Sequence, residues 1–288
     1  MFGERKMQYQ LGITLGDVEE MAKEQTNNRL NVTGVQKKLS LEIQTMGESK
    51  RLTIVNFEGG YILKPPSSDY PNMPEIEHLC MKMALLAGFN VPECALIPLY
   101  SGELAFIIKR FDRKKGKKFY QEDFCQLLEK QTSTKYKSSI EKCAKIIHTH
   151  CADRVPNLIQ FFDMVFYNYL IGNADMHLKN FSLVQNKKTK RYQLSPCYDF
   201  LSTKILVPED NEQTALSING KKNRLKYKDW HALALNIGLS ENHIDNTLAG
   251  YRKFYPKMFK LIDRSFLTKD NQDLLKEIMQ NNLASAQI

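Results

Sequence analysis

The sequence predicts an α+β fold with two lobes, a small strand-rich N-terminal lobe and a larger helical C-terminal lobe. Short apolar or alternating segments separated by turn residues dominate the first part of the 288-residue chain, as in strands. After residues 109–112, apolar residues recur at three- and four-residue steps, as in helices. We therefore predict an N-terminal lobe over residues 1–110 and a C-terminal lobe over residues 111–288.

The N-terminal lobe is predicted to contain five strands and one helix. Residues 34–43 partly alternate polar and apolar side chains, and Glu58-Gly59-Gly60 is a turn signal between the next two strands. Helical spacing of Leu79, Met83 and Leu86 predicts the helix, with Gly88 as its C-terminal stop. The predicted strands are residues 34–43, 51–57, 60–64, 92–98 and 104–111, and the predicted helix is residues 74–88.

The C-terminal lobe is predicted to be built around one buried helix. Residues 156–172 are apolar nearly all round, which is typical of a helix without a solvent face. A cleft between two such lobes is a natural ligand site. Further helices are predicted over residues 122–130, 138–151 and from about 228 to the end, and a strand pair over residues 181–184 and 191–194.

The composition is that of an ordinary globular protein, with 42% hydrophobic and 25% charged residues. No apolar run approaches the ~18 residues needed to cross a bilayer, and the start of the chain lacks the apolar core of a signal peptide. We therefore expect a cytoplasmic protein that does not bind membranes.

The net charge of +9 favours an anionic partner, such as a nucleotide, a nucleic acid or an acidic protein surface. The densest basic run, residues 113–118, is better explained by a solvated turn between strands than by a nucleic-acid patch. No helix-turn-helix, zinc-finger or RNA-binding signature accompanies it. Direct binding to nucleic acid is therefore not expected.

The six cysteines are scattered, without a CxxC pair, which argues against a disulfide framework in a cytoplasmic chain. Cys143 and the run His148-Thr149-His150-Cys151 raise the alternative of a zinc site. Because structural zinc ligands usually come as spaced pairs, we favour a helix that buries its cysteine and isoleucine side chains.

The segment GNADMHLKNF, residues 172–181, carries the strongest chemical signal. It follows the predicted buried helix, so its polar residues are displayed from a rigid support. Asp175 and Asn180 are separated by four residues, the D-x-x-x-x-N spacing of protein-kinase catalytic loops. In such loops the aspartate accepts the proton of the substrate hydroxyl and the asparagine binds magnesium. Asp175 is thus a candidate base and Asn180 a candidate metal ligand.

A second acidic residue, Asp199, lies in the segment SPCYDF. The predicted strand pair before it would fold back and return Asp199 beside Asn180. A carboxylate there would complete a magnesium site, since Mg²⁺ prefers hard oxygen ligands and keeps water and phosphate oxygens. The alternative is a turn aspartate that caps a helix.

Two features of the N-terminal lobe are compatible with phosphate binding. Lys64 ends the apolar strand YILK, where it could contact nucleotide phosphates, and Glu77 on the next helix could hold it by an ion pair. A surface lysine is the alternative. The loop NVTGVQK, residues 31–37, could close over phosphates through its backbone N–H groups, although it lacks both GxGxxG and GxxxxGK[ST].

The motifs TGVQKKLSL, YILKPP, KRFDR, QEDFCQ, GNADMHLKNFSL and PCYDF, taken together and in this order, resemble the HipA-type serine/threonine kinases, the toxins of bacterial toxin–antitoxin systems. The resemblance covers roughly residues 30–205. It implies a two-lobed, protein-kinase-like (HipA-like) fold with ATP and Mg²⁺ as cofactors. It further implies Asp175 as base, and Asn180 and Asp199 as magnesium ligands. The implied ATP-binding residues are Thr33, Gly34, Val35, Gln36, Lys37, Lys64, Lys109, Arg110, Phe111, His177, Lys179, Asn180 and Asp199.

The resemblance also implies substrates and partners. Known protein substrates in the family are aminoacyl-tRNA synthetases, whose phosphorylation halts translation, and the antitoxin is commonly a helix-turn-helix DNA-binding protein. Long members carry about a hundred residues before the phosphate loop. Here that loop begins near residue 31, so we expect the short (HipT-like) form, whose missing subdomain is a separate small protein that can act as antitoxin.

In the family, autophosphorylation of a serine near this loop expels the loop and switches the kinase off. Here the corresponding positions are Asn31 and Thr33, so the predicted phosphorylation site is Thr33. Two other functions stay open at this point. One is a pseudokinase that binds ATP or a partner without catalysis, and the other is a basic nucleic-acid-binding protein that only the net charge supports.

Overall fold

The computed structural model describes residues 7–8, 11–18, 20–21, 38–46, 49–55, 59–114, 117–186 and 188–286. The chain divides into two compact units, and each is described by itself. Unit 1 comprises Met1–His78 and Pro92–Lys118, and unit 2 comprises Leu79–Val91 and Phe119–Ile288. The predicted lobe boundary between residues 110 and 111 stays a prediction.

Unit 1 is built on a sheet of six strands among its described residues, in the order β1-β3-β2-β4-β6-β5. The β1 strand pairs with β3 in parallel, and the other neighbours are antiparallel. Two shorter strands, β7 and β8, form a separate antiparallel pair. The bounds are β1 Met7–Gln8, β2 Leu39–Met46, β3 Ser49–Ile54, β4 Tyr61–Lys64, β5 Cys94–Pro98, β6 Leu104–Lys109, β7 Arg113–Lys114 and β8 Lys117–Lys118.

The strands before and after Gly59 are not neighbours in the sheet, because β2 lies between them. Leu41 of β2 pairs with Ile54 on one side and with Tyr61 on the other. A Cβ at Gly59 would lie 2.2 Å from the Leu41 carbonyl oxygen, so the chain can pass against β2 only with glycine at this position. The segment predicted to be a turn between adjacent strands therefore connects β3 and β4, which lie on opposite sides of β2.

The core of unit 1 packs on one face of this sheet. Leu39 and Leu41 of β2, and Tyr61 and Leu63 of β4, are buried two residues apart, as the two-residue period of a strand requires. The buried apolar side chains from the strands are Leu39, Leu41, Leu52, Tyr61, Leu63, Ile97, Ala105 and Ile107. The predicted alternation over residues 34–43 thus corresponds to β2, which buries Leu39 and Leu41 in this core, whereas β6 is buried on both faces.

The predicted helix over residues 74–88 is confirmed as α1, Met73–Leu86. Leu79 and Met83 are buried, as their helical spacing predicts. The chain leaves the helix through Gly88, whose φ is +93°, a left-handed value that glycine adopts without strain.

Unit 2 combines a three-stranded sheet, in the order β11-β10-β9, with helices. The strands are β9 Gln121–Asp123, β10 Ser182–Gln185 and β11 Tyr192–Leu194. The helices are α2 Phe124–Leu127, α3 Ile140–His150, α4 Arg154–Leu170, α5 Thr203–Leu206, α6 Tyr227–Asn236, α7 His243–Asp263 and α8 Lys269–Ser285.

The predicted helix over residues 122–130 is wrong at its start. Residues 121–123 form β9, in which Glu122 pairs with Leu183 of β10, and the helix begins only at Phe124. Asp123 separates the two elements, since its side chain accepts a hydrogen bond from the Gln126 N–H and so caps α2. The strand forms because β10 supplies a distant partner that local periodicity does not reveal.

The central helix of unit 2 is α4, as predicted. Phe161, Phe162 and Phe166 have no exposed surface, and the Phe166 ring lies 4.8 Å from the ring of Trp230 on α6. Buried hydroxyls on α4 are satisfied, since the Tyr167 hydroxyl donates to the Cys80 carbonyl at 2.6 Å. Every residue from Met164 to Leu170 is buried, so the C-terminal part of the helix packs on all sides and has a fixed position, whereas Val155 and Ile159 near its start are exposed.

The run around Cys143 is confirmed as helix α3, which buries Cys143, Ile146 and Ile147. All six cysteines lie in the described residues as buried thiols rather than disulfides. Burial raises the pKa of Cys151 to about 11, so its metal-binding thiolate form is disfavoured. Among the described residues, no group of three or more His, Cys, Asp or Glu side chains could hold a metal ion.

Among the described helices, none combines the length and the apolar character that a bilayer crossing requires.

Gly172 lies two residues after the end of α4, in a position where an added side chain should destabilise the protein. Its φ is +70°, and an added Cβ would lie 2.9 Å from Cγ2 of Ile278 and 3.0 Å from Cγ of Lys204. Gly88 also has a positive φ, but a Cβ there meets nothing within 4 Å. Gly172→Ala should therefore lose the ~1–2 kcal/mol of left-handed strain that Gly88→Ala also loses, plus about 1–3 kcal/mol for overpacking. Urea unfolding of both variants measures the difference, and equal losses would contradict the packing at Gly172.

Candidate active site

The loop that carries Asp175, residues 172–181, follows directly from the end of α4. The backbone N–H of Gly172 donates to the Tyr169 carbonyl at 3.1 Å, and that of Asn173 donates to the Asn168 carbonyl at 2.8 Å. The loop then forms a 3₁₀ turn over Leu178–Asn180 and enters β10. Because α4 is buried, this Asp175 loop starts from a rigid support.

The Asp175 side chain is half exposed, with 50% of its surface accessible. Its Oδ1 accepts a hydrogen bond from the Tyr136 hydroxyl and lies 3.9 Å from Nε2 of His177. The side-chain amide of Asn180 donates to the Asp175 main-chain carbonyl at 2.9 Å. The structure thus brings Asp175, His177 and Asn180 together, with the carboxylate still open to solvent.

The buried side chain of Asn173 ties the Asp175 loop to two other segments. Its Oδ1 accepts the Asp175 backbone N–H at 3.0 Å. Its Nδ2 donates to Oδ1 of Asn168 on α4 at 2.7 Å and to the main-chain carbonyl of Asp199 at 3.5 Å. Asn173 is only 2% exposed, so these contacts fix the position of the Asp175 backbone relative to Asp199.

The strand pair that precedes Asp199 is present, and it returns the chain to the Asp175 loop. Leu183 of β10 pairs with Leu194 of β11, and the Ser195 N–H donates to the Ser182 carbonyl at 2.9 Å. Asp199 has a φ of +56°, in the left-handed region that aspartate tolerates better than most residues. The N-cap residue of α5 is Ser202, so Asp199 is not the helix cap that the alternative interpretation proposed.

Lys179 is held from both sides of the loop. Its Nζ lies 3.2 Å from Oδ2 of Asp123, the residue that caps α2, and its main-chain carbonyl accepts the Tyr198 hydroxyl at 3.0 Å. The motif QEDFCQ therefore pairs with β10, begins a helix and supplies a carboxylate to the loop. Lys179 remains 38% exposed, so its ammonium group is available to a ligand.

His177 is buried, with only 6% of its surface exposed. Burial lowers its pKa, which keeps the imidazole neutral near pH 7. Its Nδ1 makes no hydrogen bond with any described residue. A neutral ring nitrogen without a partner can donate or accept a hydrogen bond when a ligand is present.

In unit 1, Lys64 and Glu77 form a buried ion pair. Nζ of Lys64 lies 2.5 Å from Oε1 of Glu77, and the two residues are 3% and 1% exposed. The ammonium group also lies 5.7 Å from the centre of the Phe106 ring. Lys64 is therefore not a surface lysine, and the predicted pairing of the strand lysine with the helix glutamate is present.

The segment 109–111 begins with the last residue of β6, Lys109, and continues beyond the strand. Lys109 pairs with Glu93 at 2.7 Å, and Arg110 makes a two-point contact with the Asp112 carboxylate at 2.9 and 2.7 Å. Burial raises the pKa of Asp112, but the Arg110 hydrogen bonds, the charges of Arg110 and Arg113 and a backbone hydrogen bond together outweigh this and hold the pKa below its ordinary value. Phe111 follows in a bend.

The predicted phosphate loop lies outside the described residues. This applies to Thr33, Gly34, Val35, Gln36 and Lys37.

No sequence pattern indicates the roles of Asn173 and Tyr136 in the site. Asn173 lies within the GNADMHLKNF segment, but its contacts involve residues on three separate segments. Tyr136 lies 39 residues before Asp175, in a segment without any motif, so no local signal could have identified it.

Comparisons with known proteins identify a family match and several relatives. The HipA-like C-terminal domain family matches residues 30–258. A putative kinase of Haemophilus influenzae is 30% identical over an alignment of 293 positions, which covers 91% of this chain and 83% of the relative. A putative kinase of Sinorhizobium fredii, Y4dM, is 33% identical over 235 residues. That match covers 76% of this chain, which spans only about half (56%) of Y4dM.

Two solved structures share the fold. HipA of Shewanella oneidensis, in complex with HipB and its operator DNA, has a TM-score of 0.71 at 23% identity. The match covers 90% of this chain but only 64% of HipA. The Helicobacter pylori proinflammatory kinase CtkA has a TM-score of 0.54 at 19% identity, covering 78% and 86% of the two chains. The predicted α+β, kinase-like fold is thus confirmed, and this chain belongs to the family of the HipA-like C-terminal domain.

Proposed function

We propose that this protein transfers the γ-phosphoryl group of ATP to a serine or threonine hydroxyl of another protein. The observation that carries this proposal is the arrangement around Asp175. The Asp175 carboxylate is accessible to solvent, and the side chain of Asn180 donates a hydrogen bond to the Asp175 main chain. The buried side chain of Asn173 connects the Asp175 loop to the segment that carries Asp199. The relatives named putative kinases support this reading.

Asp175 would accept the proton of the attacking hydroxyl. The hydroxyl oxygen forms a bond to the γ-phosphorus, the bond from that phosphorus to the bridging oxygen breaks, and ADP leaves. Most of the catalysis in such a transfer is positioning and charge stabilisation, which a loop fixed by buried hydrogen bonds can provide.

The residues beside Asp175 fit a magnesium ion. Asn180 and Asp199 offer the hard oxygen donors that Mg²⁺ prefers, and the Asn173 amide connects their segments. When bound, the ion would offset the negative charge of the ATP phosphates.

Further residues are proposed to contact ATP. Lys64, oriented by Glu77, would pair with the phosphates, and the phosphate loop over residues 33–37 would cover them. His177 and Lys179 would lie close to the phosphates, where a neutral imidazole can donate a hydrogen bond and the lysine can supply charge. The backbone around Lys109, Arg110 and Phe111 would meet the adenine.

We further propose that the protein is the toxin of a toxin–antitoxin system in the cytoplasm. Its target would be an aminoacyl-tRNA synthetase, whose phosphorylation blocks translation. The Shewanella HipA was solved with HipB and operator DNA, which supports a helix-turn-helix DNA-binding antitoxin as partner here. A small protein that resembles the N-terminal subdomain of longer members is a second proposed partner.

Replacing the proposed base tests the reaction. Asp175→Asn keeps the size and one acceptor oxygen of the side chain but removes the proton acceptor, so transfer of ³²P from γ-labelled ATP to proteins of a bacterial extract should fall by about 10² to 10⁴. Asp263→Asn is the matched control, because the Asp263 side chain has the same exposed fraction of 50%. It should transfer phosphate at the wild-type rate.

Wild-type transfer by the Asp175→Asn variant would exclude Asp175 as the base. If the wild-type protein binds Mg-ATP in calorimetry but transfers no phosphate, the alternative of a pseudokinase that acts by binding a partner would replace the proposal.

Autophosphorylation of the phosphate loop is proposed to fall on Thr33, as an off-switch. After incubation with Mg-ATP, intact mass should increase by one phosphate, and peptide mapping should place it on Thr33. Thr33→Val should abolish the increase while transfer to other proteins continues. Phosphate on a different residue, or none in an active kinase, would contradict this assignment.

A further inference from the structure

The hydroxyl of Tyr136 donates a hydrogen bond to Oδ1 of the Asp175 carboxylate. The Tyr136 ring also contacts His177 edge-on, with the ring centres 5.0 Å apart. Burial, and then the bond to Asp175, raise the pKa of Tyr136 well above its ordinary value. The phenol therefore keeps its proton at any physiological pH and remains a donor to Asp175.

Tyr136 lies in a segment whose backbone is held in place. The Thr134 N–H donates to the Gln131 carbonyl at 2.9 Å, and the Lys137 N–H donates to the Thr134 carbonyl at 2.9 Å. The Lys135 carbonyl accepts the N–H of Leu178, inside the Asp175 loop, at 3.2 Å. Hydrogen bonds thus connect the segment internally and to the Asp175 loop, so the backbone that carries Tyr136 has a fixed position relative to Asp175.

The Asp175 carboxylate has two oxygens in different surroundings. Oδ1 accepts from Tyr136 and has His177 Nε2 at 3.9 Å. Among the described residues, no hydrogen bond reaches Oδ2, although half of the side chain is exposed to solvent. A half-exposed carboxylate without such a contact would sample several rotamers, and most of them would place both oxygens away from a substrate.

We propose that Tyr136 is a positioning residue for phosphoryl transfer: its hydroxyl holds Oδ1 of Asp175 so that Oδ2 faces the incoming substrate hydroxyl. The inference rests on the proposed function, in which Asp175 is the base. The substrate proton moves to Oδ2, whereas Tyr136 keeps its own proton and forms no covalent bond. A carboxylate can accept both hydrogen bonds at once, so Tyr136 does not have to leave when the substrate binds.

A different role for the same contact would have the opposite consequence. If the phenol instead occupied the place of the substrate hydroxyl, it would block the base, and its removal would accelerate the reaction. The sign of the change in rate therefore separates positioning from blocking.

The test is Tyr136→Phe, which removes only the hydroxyl and keeps the ring that packs against His177. We expect kcat for ³²P transfer to extract proteins to fall about tenfold, because the base loses its preferred orientation. The KM for ATP, and the Kd for Mg-ATP from calorimetry, should change less than about twofold, since among the proposed ATP ligands that the structure describes Tyr136 contacts His177 alone. If Tyr136 only maintained the fold, its replacement would not lower kcat while leaving the KM for ATP unchanged.

Tyr192→Phe is the matched control, because Tyr136 and Tyr192 have the same exposed fraction of 39% and the Tyr192 hydroxyl makes no hydrogen bond with any described residue. It should leave both kcat and KM unchanged. In the Asp175→Asn background, Tyr136→Phe should have no further effect on the residual rate, because the two residues act through one contact.

The outcomes separate this inference from the proposed function. If Asp175→Asn abolishes transfer while Tyr136→Phe transfers at the wild-type rate, the positioning role is wrong and the base stands. A faster Tyr136→Phe variant, or one that lowers the rate equally in the Asp175→Asn background, also overturns it. Full activity of Asp175→Asn would exclude both the role of Asp175 as base and the positioning role of Tyr136.

Discussion

The candidate site depends on one buried side-chain amide, that of Asn173. An amide has one acceptor oxygen and two donor hydrogens, and here the oxygen binds the Asp175 backbone while the nitrogen reaches α4 and the Asp199 carbonyl. Since Asn173 is almost fully buried, losing any of these contacts would leave a polar group unsatisfied, at a cost of about 1–3 kcal/mol. One residue thus fixes the relative position of the segments that carry the proposed base and metal ligand.

Around this amide, backbone and hydroxyl groups complete the frame. The Thr203 hydroxyl donates to the Gly172 carbonyl at 3.2 Å and accepts the Ala174 N–H at 2.8 Å. Beneath it, the aromatic side chains of α4 prevent the start of the loop from moving. The functional side chains differ from the frame, because Asp175 and Lys179 keep much of their surface exposed. The backbone of the site is therefore rigid, whereas the side chains of Asp175 and Lys179, which would contact a substrate, are accessible to solvent.

Local patterns in the sequence predicted those parts of this arrangement that depend on neighbouring residues. The apolar character of residues 156–172 predicted a buried helix, and the D-x-x-x-x-N spacing identified the Asp175 loop. The pairing of Lys64 with Glu77 also followed from a strand and the helix after it. Contacts between distant segments could not be predicted, because periodicity describes only one element at a time. These include the place of β2 between β3 and β4, the strand β9, and the Tyr136 hydroxyl on Asp175.

The most direct test of the Asn173 frame is the rate of phosphoryl transfer by Asn173→Ala, measured at a temperature where circular dichroism shows the variant folded. Asn281→Ala, at an exposed position, is the control. If the amide aligns the base with the metal ligand, the rate should fall by on the order of 10², because small displacements of catalytic groups have effects of that size. A folded Asn173→Ala protein that transfers phosphate at the wild-type rate would contradict the account.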